Sequence, residues 1–294
     1  MSSRRLRHAS FHPSSILSAV NNRITGREQA ATPQPTNKMR NYSKLIGALA
    51  AVSALAAGNA SAIDINYNLH AGYTSEYIFR GINSGSDLVE TGFDASTELA
   101  SGFNLSAGVW AATFDAPTAG GSNDQTEIDL YAKASYDLGF AVASVGYIYY
   151  YNDQDDATVG IGRDLFDAQE VSFGLSREFF GLNVGLTYFW DVSTDNDGYS
   201  ELSISKSFEL NSCLTLNVGS ALGYLVERGH LSHLTTKVSL DYEFVENARF
   251  SPFVALSVDL TGGHFDDVVP SPTTSSAPGT KNELVGGAMI SVDF

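Results

Sequence analysis

The feature that most restricts the fold of this chain is an alternation of apolar and polar residues from residue 63 to the end. Its first segment places Ile65, Tyr67 and Leu69 on one side of an extended chain and Asn66 and Asn68 on the other. Successive side chains of a β-strand point to opposite faces, so a period of two predicts strands with one apolar face. In this part of the sequence no apolar run approaches the roughly 20 residues of a membrane helix. The sequence therefore predicts an all-β protein.

The alternation recurs in twelve segments, and the connections between them alternate in length. Short connections are predicted near Ser101–Gly102, Leu138–Gly139, Phe180–Gly181, Asn211–Ser212 and Glu246–Asn247. Longer connections are predicted near residues 82–87, 115–124, 152–167, 193–198, 227–231 and 262–281. An even number of strands with this asymmetry is typical of outer-membrane barrels. We therefore predict a closed antiparallel transmembrane β-barrel of about twelve strands, with short periplasmic turns and longer extracellular loops.

Aromatic residues favour a barrel over a soluble β-sandwich, which would also show alternation. On the apolar side, a membrane-interface group at the short-turn ends comprises Phe103, Tyr136, Phe140, Phe179, Phe208, Phe244, Phe250 and Phe294. A second group at the opposite ends is predicted to comprise Tyr150, Trp190 and Tyr224, with Ile148 and Tyr150 facing lipid. Aromatic belts of this kind mark the two interfaces of a membrane. Closure also pairs every backbone group, and each unpaired group in hydrocarbon costs several kcal/mol.

Residues 39–62 have the three-part pattern of a secretory signal peptide. Met39–Lys44 is a short basic region, Leu45–Ala57 is an apolar run, and Ala60–Ala62 is a small-residue cleavage site. The apolar run is too short to span a bilayer, and we predict cleavage after Ala62. The predicted division is an extension at residues 1–38 upstream of the true start, a signal peptide at 39–62 and an outer-membrane barrel at 63–294. A transit peptide at 1–38 is the alternative.

The chain is acidic, and the acidic residues lie in the predicted mature part. The whole chain has 17 Lys and Arg against 33 Asp and Glu. Without residues 1–62, 9 basic and 32 acidic residues remain, a formal net charge of −23. A surface of this charge repels a phosphate backbone, so we predict no nucleic acid partner.

If the apolar face meets lipid, the opposite face encloses a lumen. The residues predicted to line it are Glu76, Arg80, Glu90, Asp94, Glu98, Glu127, Asp129, Lys133, Glu170, Asp191, Lys237, Asp241 and Asp259. An acidic wall raises the local concentration of cations and repels anions. We therefore predict a porin-like channel for passive diffusion of small hydrophilic solutes or ions, with a preference for cations. Glu76 and Arg80 are expected to form an ion pair near the outer mouth.

Two short segments resemble those of known barrels. Ser75–Gly81, with the sequence SEYIFRG, resembles the S-D-Y-x-F-R-G signature of the TorF family of porin-like proteins, with Glu76 where Asp is usual. Ile290–Phe294 resembles the terminal strand, ending in Phe, by which outer-membrane barrels are recognised for insertion. The resemblance implies a Gram-negative outer-membrane barrel, with membrane lipid as a partner and the insertion machinery as a partner through the Phe294 strand. It implies fold and location rather than a substrate.

Two other classes of function stay open at this point. One is a filled barrel with a structural or adhesive role and no transport. The other is an outer-membrane hydrolase, because His230 and Ser232 place an imidazole and a hydroxyl on one strand face. A nucleophile needs a base and an orienting group within reach, and no orienting acid stands at a recognisable position, so we predict that the protein is not an enzyme.

We also predict no cofactor and no metal site. The acidic segments 153–156 and 195–197 lack the residue spacing of a Ca²⁺ loop. The single Cys213 excludes an internal disulfide.

Overall fold

The computed structural model describes residues 64–99, 102–118, 121–153, 168–193, 198–226, 228–261 and 282–294. These ranges form twelve strands: β1 (Ile65–Phe79), β2 (Ile82–Leu99), β3 (Phe103–Thr118), β4 (Gly121–Asp137), β5 (Val142–Asp153), β6 (Ala168–Phe179), β7 (Leu182–Asp191), β8 (Tyr199–Asn211), β9 (Leu214–Leu225), β10 (His230–Val245), β11 (Ala248–Asp259) and β12 (Glu283–Asp293). The predicted extension and signal peptide lie outside the described residues. Within the described ranges, no helix is long and apolar enough to cross a membrane.

The strands form one closed antiparallel sheet. Each strand pairs with its neighbours in sequence, and β1 pairs with β12. Along this closing seam, Leu69 lies opposite Val292 and Thr74 lies opposite Gly287. The seam ends where the backbone N–H of Phe294 donates to the Tyr67 carbonyl at 2.9 Å. The predicted twelve-stranded, closed antiparallel β-barrel is confirmed.

The two ends of the barrel differ in their connections. The end that carries both the start of β1 and the end of β12 also carries turns at 138–141, 180–181, 212–213 and 246–247, and we call it the short-turn end. Phe180 and Asn247 have φ values of 50° and 65°, as tight turns require. The other end, which holds the connections after β1, β3, β5, β7, β9 and β11, is called the long-loop end.

Two of the predicted loops are instead parts of strands. Residues 82–87 belong to β2, which meets β1 at a two-residue turn formed by Arg80 and Gly81 with φ values of 48° and 87°. Similarly, β3 continues to Thr118, which pairs with Gly121 of β4. The Gly, Ser and Asn content of these segments favours loops, but paired strands satisfy their backbone groups. With 15 and 18 residues, β1 and β2 exceed the roughly 9 to 11 residues that cross a membrane.

Candidate functional site

The two faces of the barrel wall differ in chemistry. Outward side chains are apolar and exposed, as Phe173, Leu186 and Leu202 show with 46%, 53% and 47% exposure. Inward side chains are mostly polar. Strand pairing fixes which side chains share the inner face, and Trp110, for example, lies opposite Asp129 there. All the residues predicted to line the lumen lie on the inner face of a strand or on the β1–β2 hairpin, which is described below.

The aromatic residues assigned to the short-turn end are exposed there. They are Phe103, Tyr136, Phe140, Phe179, Phe208, Phe244, Phe250 and Phe294. Two of them, Phe103 and Tyr136, pack with ring centroids 4.5 Å apart across β3 and β4. At the long-loop end, Trp190 and Tyr224 are exposed on the outer face, as expected.

The predicted direction of β5 is wrong. Ile148 and Tyr150 point inward and are buried, with 5% and 1% exposure, whereas Tyr147 and Tyr151 are exposed on the outer face. The reason lies in the local sequence, because five consecutive residues from 147 to 151 are aromatic or aliphatic and give no alternation. Register with β4 sets the direction instead, since Tyr151 pairs with the outward Ile128.

The end of the β1–β2 hairpin leaves the barrel wall. The pairing of β1 with β12 stops at Thr74, and β1 has an irregularity between Tyr77 and Ile78. The pairing of β2 with β3 is irregular between Ser86 and Val89. We call residues 75–88 the lumen hairpin. Because neither edge of this hairpin is held by a regular neighbouring strand, it is free to bend inward.

The lumen hairpin crosses the barrel. In the closed sheet β7 is the sixth strand from β1 in either direction, so it lies on the opposite wall. At the hairpin tip, the Arg80 guanidinium lies 4.7 Å from the Phe189 ring of β7 and 4.2 Å from the Tyr199 ring of β8. Nearer the hairpin base, the Tyr77 hydroxyl donates to Glu127 of β4 at 3.0 Å. The tip therefore bridges the full width of the lumen at the long-loop end.

The contacts of the lumen hairpin form a buried core inside the barrel. Tyr77 packs against Phe114 with ring centroids 4.8 Å apart and against Trp110 at 6.2 Å. The buried cluster consists of Tyr77, Phe79, Leu88, Trp110, Ala112, Phe114, Ala116, Ile148, Tyr150 and Ala168. Part of the lumen is thus packed like the interior of a soluble domain, which holds the hairpin in one position.

Arg80 forms the strongest polar contact of the lumen hairpin. Two of its guanidinium nitrogens donate to the two carboxylate oxygens of Glu170 on β6, both at 2.9 Å, and the side chains are 14% and 3% exposed. Burial, the largest single effect, lowers the pKa of this turn residue, but Glu170 together with Tyr150 and Tyr199 outweighs burial and raises the Arg80 pKa. The predicted ion pair between Glu76 and Arg80 is wrong, because the tip reaches the far wall. Glu76 instead accepts a hydrogen bond from Asn83 at 2.9 Å.

His233 of β10 is a second contact of the hairpin tip, in addition to Glu170. A Cβ built on Gly81 would lie 2.6 Å from the His233 Cβ, so only glycine allows this approach. An irregularity in the β9–β10 pairing buries both Ser232 and His233, and the Ser232 hydroxyl lies 2.9 Å from His233 Nδ1. The hydrolase alternative placed Ser232 and His230 on one strand face, but in the structure His230 is exposed at the start of β10 and the Ser232 hydroxyl contacts the neighbouring His233.

Between the lumen hairpin and the short-turn end, the lumen is accessible to water. Lys133 and Lys237 point inward and are nevertheless exposed. The part of the wall from β6 to β9 is lined by small residues, namely Ser172, Gly174, Gly185, Ser203, Ser205 and Gly219. Small side chains on one wall leave space that large side chains on the other do not fill. We call the part of the lumen between the hairpin and the short-turn end the lower lumen, and the part at the long-loop end the upper lumen. The lower lumen is open, and the hairpin closes the upper lumen.

Several carboxylates of the lower lumen are held by donors from the wall. The Tyr131 hydroxyl donates to Asp94 at 2.6 Å, and the Trp110 indole N–H donates to Glu90. On the opposite wall the Lys237 ammonium lies 3.9 Å from the Phe253 ring centroid. Neutral donors fix these carboxylates without removing their charge, so the wall keeps a negative potential.

The described residues contain no group of three His, Cys, Asp or Glu side chains placed to hold a metal ion. Of the acidic loop segments, 194–197 lies outside the described residues, as do residues 154–156.

The sequence interpretation missed three wall residues that contact the hairpin tip, namely Phe189, Tyr199 and His233. Each stands on an inner face near the long-loop end, where apolar or aromatic residues interrupt a polar alternation. That interruption is the one sequence signal that could have indicated an internal contact.

Comparison with known proteins identifies a family that covers most of the chain. A family described as a bacterial protein of unknown function (Gcw_chp) matches residues 56–242. No curated protein matches the sequence significantly.

Three solved structures illustrate the structural similarity. The KdgM porin shares 11% identity with a TM-score of 0.44, covering 77% of this chain and 99% of the porin. An outer membrane channel from Pseudomonas putida F1 shares 7% identity with a TM-score of 0.49, covering 80% and 97%. Outer membrane phospholipase A from Escherichia coli shares 14% identity with a TM-score of 0.41, covering 80% and 93%.

Proposed function

The chain belongs to the Gcw_chp family of bacterial proteins of unknown function, and we propose that it forms a porin-like channel in a Gram-negative outer membrane. The observation that carries this proposal is a closed barrel with an exposed apolar outer face and a polar inner face. Contiguous exposed apolar surface of this extent is unfavourable in water, whereas acyl chains accommodate it. The solutes proposed are small hydrophilic molecules and ions.

The proposed orientation places the short-turn end in the periplasm and the long-loop end outside the cell. Residues 39–62 would direct export, and outer-membrane lipid would surround the exposed aromatic residues of the short-turn end. The Phe294 strand, which closes the barrel against β1, is the segment proposed to engage the insertion machinery. We also propose that the chain is related to the TorF family, because Ser75–Gly81 resembles the signature of that family.

The proposed preference for cations follows from the charge of the inner face. Acids outnumber bases there, and Glu90, Asp94 and Asp241 lie below the lumen hairpin, where water has access. Low-dielectric walls focus such a potential on the lumen and raise the local concentration of cations. Nearby donors such as Tyr131 orient the carboxylates without neutralising them.

Reversal potentials test this preference. We expect the purified protein to give a measurable reversal potential in a planar bilayer under a KCl gradient. The sign of this potential should show that potassium permeates more readily than chloride. Raising the salt concentration should reduce the selectivity, because it screens the wall charges. A variant with Glu90→Gln, Asp94→Asn and Asp241→Asn should be less selective, whereas a reversal potential favouring chloride in the unaltered protein would contradict the proposal.

A closed barrel with a structural role is the second candidate, and the hairpin across the lumen favours it. In this case the barrel would not conduct even when the hairpin is removed, because packed side chains would fill the rest of the lumen. The exposure of the inward Lys133 and Lys237 supports the channel instead. The hairpin deletion described in the Discussion separates the two candidates.

A further inference from the structure

We propose that the barrel wall that receives Arg80 is a binding site for solutes carrying a guanidinium group, and that Arg80 fills it as a tethered ligand. We call Glu170, Phe189, Tyr199 and Glu201 the guanidinium pocket. The proposal rests on the proposed channel function, because it names a class of solute that the channel would admit.

The geometry of the pocket matches a guanidinium group. Both carboxylate oxygens of Glu170 accept from Arg80 at 2.9 Å, which is the paired arrangement that a planar fork of donors makes. The Phe189 and Tyr199 rings lie 4.7 Å and 4.2 Å from the guanidinium carbon, within the range of cation–π attraction. A compact ammonium group cannot donate to both oxygens in this planar way.

The wall holds the pocket in shape through its own contacts. The Tyr150 hydroxyl donates to Glu170 at 3.1 Å, and the Tyr199 hydroxyl donates to Glu201 at 3.0 Å. Tyr199 also stacks on His233 with an interplanar angle of 3°. The two hydrogen bonds join side chains of the wall alone and do not involve the lumen hairpin, so they would keep Glu170 and Tyr199 in place if the hairpin withdrew.

The buried carboxylate of Glu170 favours a cation in the pocket. The Glu170 side chain is 3% exposed, and the structure pairs it with Arg80. A buried carboxylate without a cation is costly, so withdrawal of Arg80 would leave a strong site for a cation from solution.

Arg80 is not part of the wall and reaches the pocket on the lumen hairpin. The hairpin leaves β12 after Thr74 and is irregular where it joins β3. Arg80 and a guanidinium solute therefore compete for one site, and binding of the solute favours the withdrawn hairpin by the same factor as withdrawal favours binding. The solute that fits the pocket would thus widen the channel it enters.

Binding of methylguanidinium to an Arg80→Ala variant in detergent tests the proposal. Calorimetry should show saturable binding to this variant, on the order of a hundredfold tighter than to the unaltered protein, because Arg80 no longer occupies the pocket. Binding should be lost in the variant that also carries Glu170→Gln and should be retained when Glu178→Gln replaces that second change. Glu178 lies on the same strand and inner face but at the exposed short-turn end.

Two further measurements keep the outcome decisive. If Arg80→Ala does not fold, a variant lacking residues 75–87 retains all four pocket residues and should bind in the same way. Equal binding of potassium or methylammonium, or equal binding with and without Glu170, would overturn the proposal. Because calorimetry does not need conduction, binding without conductance would refute only the channel function, and conductance without binding would refute only the pocket.

Discussion

Replacing residues 75–87 with an Asn-Gly turn is expected to raise the single-channel conductance severalfold. Thr74 and Leu88 lie opposite each other in the β1–β2 pairing, so a two-residue turn of this type can join them. The change removes Arg80 from the opposite wall and Tyr77 from the buried cluster, which opens the upper lumen. Planar-bilayer recordings of the variant beside the unaltered protein would measure the effect.

The deletion leaves the wall of the barrel intact. The closing pairs from Asn68 to Thr74 and the β2–β3 pairs from Val89 onward are retained, and the shortened β1 still has the length of a membrane crossing. The deletion removes Glu76, Arg80 and Asp87, a net change of one negative charge, and Glu178→Gln makes the same change without removing the hairpin. An unchanged conductance in the deletion variant would show that the hairpin is not the constriction, and no conductance in either protein would favour the closed structural barrel.

The strand count and the closed barrel could be predicted from the sequence because one face of each strand meets one uniform environment. In β7, for example, Leu182, Val184, Leu186, Tyr188 and Trp190 occupy every outward position, and the inward positions hold Asn183, Gly185 and Thr187 before Phe189 interrupts them. In the proposed membrane setting, lipid requires apolar side chains along the whole outer face, so the period of two persists along the segment. The inner face can hold polar, small or aromatic side chains, so its sequence pattern does not show which of its residues contact one another.

The lumen hairpin could not be predicted because alternation reports which way a side chain points and not whether the strand stays in the sheet. Tyr77 and Phe79 continue the spacing of the outward residues of β1, but both are buried inside the barrel. They are buried because the hairpin leaves the wall after Thr74, and its position depends on contacts of Tyr77 with Phe114 and Glu127 later in the chain. Long-range packing of this kind leaves no local sequence pattern.

The partner of Arg80 illustrates the same limit for the site. The sequence interpretation chose Glu76 because it lies four residues away on the same strand face, although an extended chain separates such residues by about 13 Å. The hairpin instead carries Arg80 to Glu170, 90 residues later, where two aromatic rings add to the attraction. Arg80 lies in the segment Ser75–Gly81 that the sequence interpretation singled out, but the sequence alone did not identify its partner.

Glu170→Gln is expected to release the lumen hairpin for a much larger fraction of the time. The change keeps the shape of the side chain but leaves Arg80 as a buried cation beside a neutral amide, which weakens docking by about 3 kcal/mol. A difference of this size raises the released population on the order of a hundredfold. The substitution Ser84→Cys in a Cys213→Ser background would report this release, because Ser84 is 5% exposed and lies on the hairpin.

The rate at which a water-soluble reagent modifies the introduced thiol follows the population of the released hairpin when release and docking are fast. We therefore expect slow modification in the otherwise unaltered protein and fast modification with Glu170→Gln. Glu178→Gln is the matched control, because it removes the same charge from β6 at a site remote from Arg80 and should leave the rate slow. Equal rates with Glu170→Gln and Glu178→Gln would show that packing of Tyr77 and Phe79, rather than the Arg80–Glu170 pair, holds the hairpin across the lumen.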